Sequence, residues 1–178
     1  MVIGCGGAGK STLARGIAAR TGLPLVHLDR HYWRPGWQEP GKQAWREQVA
    51  VLAAAPRWIM DGNYGDTIDL RLARADTVIV LDPPPWRCLL GVLTRAARWY
   101  GRSREDMAPG CPERIDGAFL LYVWRYRRTH RPRVLALLRD FPGDRVHLRS
   151  RRAARGYLAT LRPTPDDRPA RGVTANGV

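Results

Sequence analysis

A glycine-rich run stands almost at the N-terminus, Gly4-Cys5-Gly6-Gly7-Ala8-Gly9-Lys10-Ser11-Thr12, and it satisfies the pattern G-x-x-x-x-G-K-[ST]. Few features restrict a fold so closely. Such a loop works only between a buried strand and a helix N-terminus, where inward-turned backbone N–H groups and the helix dipole surround an anion. Leu13 to Arg20 reads as that helix, which leaves Met1-Val2-Ile3 for the strand. That strand is short, either clipped or begun further upstream. The spacing assigns roles. Gly4, Gly6, Gly7, Ala8, Gly9 and Thr12 shape a phosphate cradle, Lys10 reaches the β- and γ-oxygens of a nucleotide such as ATP, and Ser11 holds Mg²⁺. Of 30 basic residues only Lys10 and Lys42 are lysine, so one of the two falls where the loop needs the slimmer cation.

With 178 residues the chain fits one domain, able to bury roughly 70% of its unfolded surface. No apolar run approaches the ~20 residues of a membrane span, and the N-terminus reads as strand and phosphate loop rather than signal peptide. The expectation is a cytoplasmic protein with no membrane partner, either a monomer or a homodimer. Cys5, Cys88 and Cys111 are odd in number and widely spaced, and the four histidines form no close pair, which argues against a disulfide framework and against a metal centre held by protein ligands alone. The formal net charge of +14 invites nucleic-acid binding. An arginine-for-lysine bias this strong, with much Ala, Gly and Pro, is also what GC-rich coding produces, so nucleic acid is a less favoured partner than a small molecule.

Short apolar runs alternate with helical patterns along the whole chain, the signature of βαβ units and a parallel sheet. After the first strand come Leu25 to Leu28, Trp58 to Met60, Thr77 to Leu81 and Arg145 to Leu148. Helices are predicted over Lys42 to Ala54, Thr67 to Ala73, Trp86 to Tyr100, Ile115 to Phe141 with a bend before Pro132, and Ala153 to Leu161. Arg30 to Pro40 reads as an aromatic- and proline-rich loop. The polar stretch 101–114 lies where a lid would sit. One kinase-like domain is expected over 1–162, followed by a disordered tail over 163–178.

Three strands end beside carboxylates, Asp29, Asp61 and Asp82, on the edge of the sheet where ligands of open α/β folds bind. Asp61, in Trp58-Ile59-Met60-Asp61-Gly62-Asn63-Tyr64, is the preferred carboxylate behind Mg²⁺, because Gly62 and Asn63 allow close approach. Asp82 enters Pro83-Pro84-Pro85 and competes for the same role, or caps the next helix. Asp29 is placed to accept the proton of a substrate hydroxyl or, with a phosphate acceptor, only to orient it; a surface salt bridge is its plainer reading. Arginine forks grip phosphate oxygens, and Arg71, Arg95, Arg104 and Arg114 stand near the expected site. With 28 arginines most must be solvated surface. Trp45, Trp58, Trp86 and Trp124 fall in element-like patterns and are expected in the core. Trp33, in the loop after Asp29, either offers a stacking platform with Trp37 or packs the loop; Asn63, Tyr64, Arg71 and Arg114 complete the expected acceptor site.

Taken together, Gly4 to Ala14, His27-Leu28-Asp29 with Trp33-Arg34-Pro35-Gly36-Trp37, Trp58 to Tyr64, Asp69 to Asp76, Asp106-Met107-Ala108 with Gly110 to Arg114, and Arg127 to Arg133 resemble the bacterial DNA topology modulation (FlaR-like) proteins, relatives of adenylate kinase among P-loop kinases. The likeness spans about residues 1–141. It implies a nucleoside-monophosphate-kinase-like α/β/α fold with sheet order 2-3-1-4-5, ATP and Mg²⁺ at the loop, a closing lid, and phosphoryl transfer to a small acceptor. Two departures stand out. The Asp-Gly-Phe-Pro-Arg pattern of adenylate kinase is replaced by Asp61-Gly62-Asn63-Tyr64, which weakens the case for AMP as acceptor. Where relatives carry two arginines a helical turn apart, this chain has Gly91 and Arg95, with Arg87 one turn earlier as a candidate substitute.

Overall fold

Five parallel strands carry the molecule: β1 Val2–Gly4, β2 Leu25–His27, β3 Ile59–Asp61, β4 Thr77–Leu81 and β5 Asp144–Leu148, in the order β2-β3-β1-β4-β5. The structure is a computed structural model and describes residues 1–162; the expected disordered tail lies outside the described residues. Between the strands run α1 Lys10–Thr21, α2 Leu28–Tyr32, α3 Lys42–Ala53, α4 Ile68–Leu72, α5 Pro85–Trp99, α6 Gly117–Thr129, α7 Arg131–Leu137 and, last, α8 Arg151–Thr160.

Alternation along each strand decides which helices cover which face. Met1, Ile3, Met60, Val78 and Val80 point one way, into a core closed by Trp45, Val49 and Ala53 of α3 and Ile68 of α4. Val2, Ile59, Ile79, Leu81 and Leu148 point the other way, against Leu13, Ala14 and Ile17 of α1 and the inner face of α8. The result is a three-layer P-loop α/β/α architecture with the strand order that the resemblance implied. A third cluster, Cys5, Cys88, Val92, Val123 and Tyr126, joins α5 and α6 to the phosphate loop.

Three expectations need adjusting. The region read as loop after β2 begins with the one-turn helix α2, so Asp29 sits in a helical first turn rather than at a strand end. The long helix divides at His130 into α6 and α7; Pro132 falls in the first turn of α7, where its missing N–H costs nothing. Trp86 and Trp124, expected in the core, are more than half exposed. Trp124 follows the fully buried Val123, and the helical step turns it outward. Trp45 is buried, and the half-buried Trp58 donates its indole N–H to the Ala53 carbonyl at 3.3 Å.

Candidate active site

β1 lies between β3 and β4, with Val2 in register with Asp61 and Gly4 with Leu81. The strands that emerge beside the phosphate loop are therefore those ending in Asp61 and Asp82. Inside the loop the Lys10 ammonium donates to the Cys5 carbonyl at 3.1 Å. Gly9, the residue before α1, has φ +96°, and nothing lies within 4 Å of where its side chain would project. Gly7 is confined instead: a Cβ there would meet the Cys88 carbonyl at 2.1 Å. The cradle is thus open at the helix N-terminus and clamped against α5 behind.

The structure separates the two carboxylates that compete for the Mg²⁺ role. Asp82 accepts from Nε of Arg131 at 2.7 Å and lies 3.2 Å from Nε2 of His147, which commits it to α7 and β5. Asp61 is buried, with Oδ2 2.9 Å from Nδ1 of His27 on the neighbouring strand, while its Oδ1 is buried with no hydrogen-bond partner. An orphaned carboxylate oxygen beside a phosphate loop is what the hydration shell of a divalent cation would satisfy. Asp61 and Ser11 fit that ion by chemistry. His27 was not singled out from the sequence; only the strand register reveals it.

Asp29 accepts a 2.6 Å hydrogen bond from the Tyr64 hydroxyl. Burial pushes its carboxyl above the ordinary range, the Tyr64 hydroxyl and the Lys10 charge pull it back, and the Asp61 charge adds to the rise. Arg104 also bears on it. The Asp29 carboxyl thus lies within electrostatic reach of both Lys10 and Asp61.

The loop carrying Asn63 and Tyr64 is held from below. Tyr64 has φ +34°, unusual for a side-chain-bearing residue and worth about 1–3 kcal/mol of strain. Arg71, expected to grip substrate, is instead wholly buried and donates to the carbonyls of Gly62 (2.8 Å), Asn63, Tyr64 (2.9 Å) and Thr67 (3.3 Å). Burial lowers its pKa to about 10. Four of its five N–H donors are taken by these carbonyls, so Arg71 braces the loop from within. Asn63 is likewise engaged, its Oδ1 accepting the Gly4 N–H at 2.8 Å and tying β3 to the start of the phosphate loop.

Residues 101–114 fold over this region as an irregular segment. Arg104 donates to both oxygens of Asp106 at 2.9 and 2.8 Å and to Glu113 at 2.8 Å, and Arg95 reaches the other Glu113 oxygen at 3.0 Å. Burial works to raise the Asp106 carboxyl, yet the Arg104 charge and the Ser11 hydroxyl outweigh it and hold the group below the usual range. Neither Asp106 nor Glu113 carries a local sequence signal for this pairing, which only the fold of residues 101–114 creates. Trp33 and Trp37 pack on Met107, Ala108 and Cys111, and the Trp37 indole donates to the Pro112 carbonyl at 3.2 Å. Arg114 lies over the Trp37 ring. Trp33 is partly buried and also meets Tyr32 and Trp37 edge to face.

On the opposite side of the phosphate loop lies a cavity of about 330 Å³. Leu13, Leu81, Leu148 and Leu158 supply apolar wall, the Gly7-Ala8-Gly9 backbone forms one edge, and Arg87, Ser150, Arg151 and Arg155 stand around it. Its size and mixed lining suit one small flat organic group continuous with the phosphate cradle.

No protein-family model matches the chain, and no curated protein matches it. Among solved structures, deoxyadenosine kinase from M. mycoides with bound dCTP is similar at 17% identity and a TM-score of 0.43, the match covering 89% of this chain and 95% of that one. No described helix is long and apolar enough to cross a membrane.

Proposed function

We propose that the chain is a cytoplasmic phosphotransferase that moves the γ-phosphoryl of Mg-ATP to a small-molecule acceptor, and that its likeness to the topology modulation proteins reflects a shared kinase-like site. One observation carries the reading: Asp29, hydrogen-bonded by Tyr64, feels the charges of both the loop lysine Lys10 and Asp61. Phosphoryl transfer asks a protein for little beyond positioning and charge compensation. The Gly7-Ala8-Gly9 backbone and Lys10 would hold the donor phosphates, and the cavity beside β5 would take the base and ribose. Ser11 and Asp61 would hold Mg²⁺, which supplies charge neutralisation on the phosphate oxygens when bound. Asp29 orients the acceptor hydroxyl and takes its proton as the oxygen bonds to the γ-phosphorus and the bond to the β-phosphate oxygen breaks, leaving ADP. Tyr64 fixes which oxygen of Asp29 stays free.

The test is ADP formation from Mg-ATP across a panel of nucleosides, nucleoside monophosphates and small alcohols. Acceptor-dependent ADP release that disappears in Lys10→Ala, with the circular dichroism of the fold unchanged, is expected. Turnover retained in that variant would sink the reading.

A second reading, an ATP-binding regulator that engages nucleic acid, draws on the exposed arginines of α6 and α8: Arg125, Arg127, Arg128, Arg151, Arg152 and Arg155. Binding to a mixed-sequence duplex that falls steeply with added salt would favour it.

A further inference from the structure

The acceptor side of the site is rich in arginine, yet its arginines are already spoken for. Arg104 of the covering segment and Arg95 of α5 are both engaged by carboxylates buried in that segment, Arg104 by Asp106 and Glu113, and Arg95 by Glu113. Arg71 is consumed by backbone carbonyls and Arg114 lies on Trp37. Around the reacting space the carboxylates Asp29, Asp61, Asp106 and Glu113 stand among the cations Lys10, Arg95 and Arg104, with the Arg71 charge buried beneath the Asn63 and Tyr64 loop. Mg-ATP adds further negative charge when it binds.

We propose that the acceptor is an alcohol carrying no phosphate or carboxylate, either neutral or bearing an amine, a specificity that rests on the phosphotransferase reading above. A phosphorylated acceptor brings about −1.5 to −2 charges into this space. To be gripped it competes with Asp106 and Glu113 for the charge of Arg104 and Arg95, weakening the pairing of buried carboxylates. A hydroxyl asks for none of this. It needs one acceptor, the free oxygen of Asp29, and the nearby carboxylates of Asp61 and Asp106 favour an ammonium over a further anion on the same molecule. The carboxylates of the covering segment thus act as a filter against anions, and Glu113, which holds two arginines at once, is its centre.

Matched pairs test the filter: each of four nucleosides against its 5′-monophosphate, and a polyol and an amino alcohol against their phosphate esters. Binding is measured by titration calorimetry on the full chain saturated with Mg²⁺ and a non-hydrolysable ATP analogue, and ADP formation is measured on the same pairs with Mg-ATP. The expected result is turnover with unphosphorylated members alone, which bind about tenfold or more tightly than their esters. A monophosphate that binds as well as its parent alcohol, or is turned over in its place, overturns the filter while leaving the phosphotransferase reading intact. No acceptor-dependent ADP from any pair, with the ATP analogue bound, overturns the phosphotransferase reading and the acceptor class with it. Glu113→Gln frees guanidinium donors and should narrow the preference against esters by about tenfold; an unchanged ratio in a folded variant also overturns the filter.

Discussion

Gly7 of the phosphate loop and Gly91 of α5 meet backbone to backbone: a Cβ on Gly91 would lie 2.2 Å from the Gly7 carbonyl oxygen. This contact accounts for the missing arginine at position 91. The helix runs so close behind the cradle that no side chain fits, and the loop conformation depends on that closeness. Gly91→Ala should push α5 and the loop apart, costing about 1–3 kcal/mol of stability. Affinity for an ATP analogue should fall about tenfold or more. Urea unfolding and a fluorescent-nucleotide titration read the two effects separately.

Arg71 gives a different outcome from the substrate clamp that the sequence suggested. Arg71→Met keeps the bulk but takes the donor from the Gly62 and Asn63 carbonyls, while the Tyr64 carbonyl keeps the Thr67 N–H and hydroxyl. Each buried, unsatisfied group costs about 1–3 kcal/mol, so a loss of about 2 kcal/mol or more is expected in urea unfolding. Arg71→Lys should recover only part of it, since one ammonium cannot span the same carbonyls. A variant with native stability and a raised KM for acceptor would return Arg71 to substrate binding.

The two glycine and arginine cases show what the chain declares about itself and what it hides. The phosphate loop and the strands were legible because short-range chemistry fixes them: the Lys-Ser-Thr after glycines, and the alternation that sends Ile79 and Val80 to opposite faces. Long-range pairing was not. Nothing local to Gly91 announces Gly7, nothing local to His27 announces Asp61, and the inward turn of Arg71 follows from the path of a loop that precedes it. Nothing local to Trp33 and Trp37 announces that residues 107–111 pack against them.

Asp29 supplies a pH signature. Its carboxyl is raised in the folded chain, chiefly by burial, so its contribution to stability is present below the ordinary carboxylate range and is lost as pH rises through the folded value. Asp29→Asn should therefore be more stable than the native chain near neutral pH. That advantage should vanish below about pH 4. Turnover should fall by about 10²–10⁴ while nucleotide affinity is kept. In the native chain the acid limb of kcat should lie above an ordinary aspartate. Tyr64→Phe, which removes a hydrogen bond favouring the carboxylate, should move that limb higher still. A limb that does not move in Tyr64→Phe assigns the proton to another group.

The cavity between α1, β5 and α8 predicts a separation of binding from chemistry. Ala154 lines it from α8, on the far side of the phosphate loop from Asp29. Ala154→Trp should fill space meant for the donor's base without touching Lys10, Ser11 or the carboxylates. Removing binding that is equal in the ground and transition states raises KM and spares kcat. The KM for ATP should rise about tenfold or more, with kcat at saturation within about twofold of the native value. Inorganic tripolyphosphate, which has phosphates and no base, should inhibit the variant and the native chain alike. If kcat collapses with KM unchanged, the base lies elsewhere and the cavity only supports the loop.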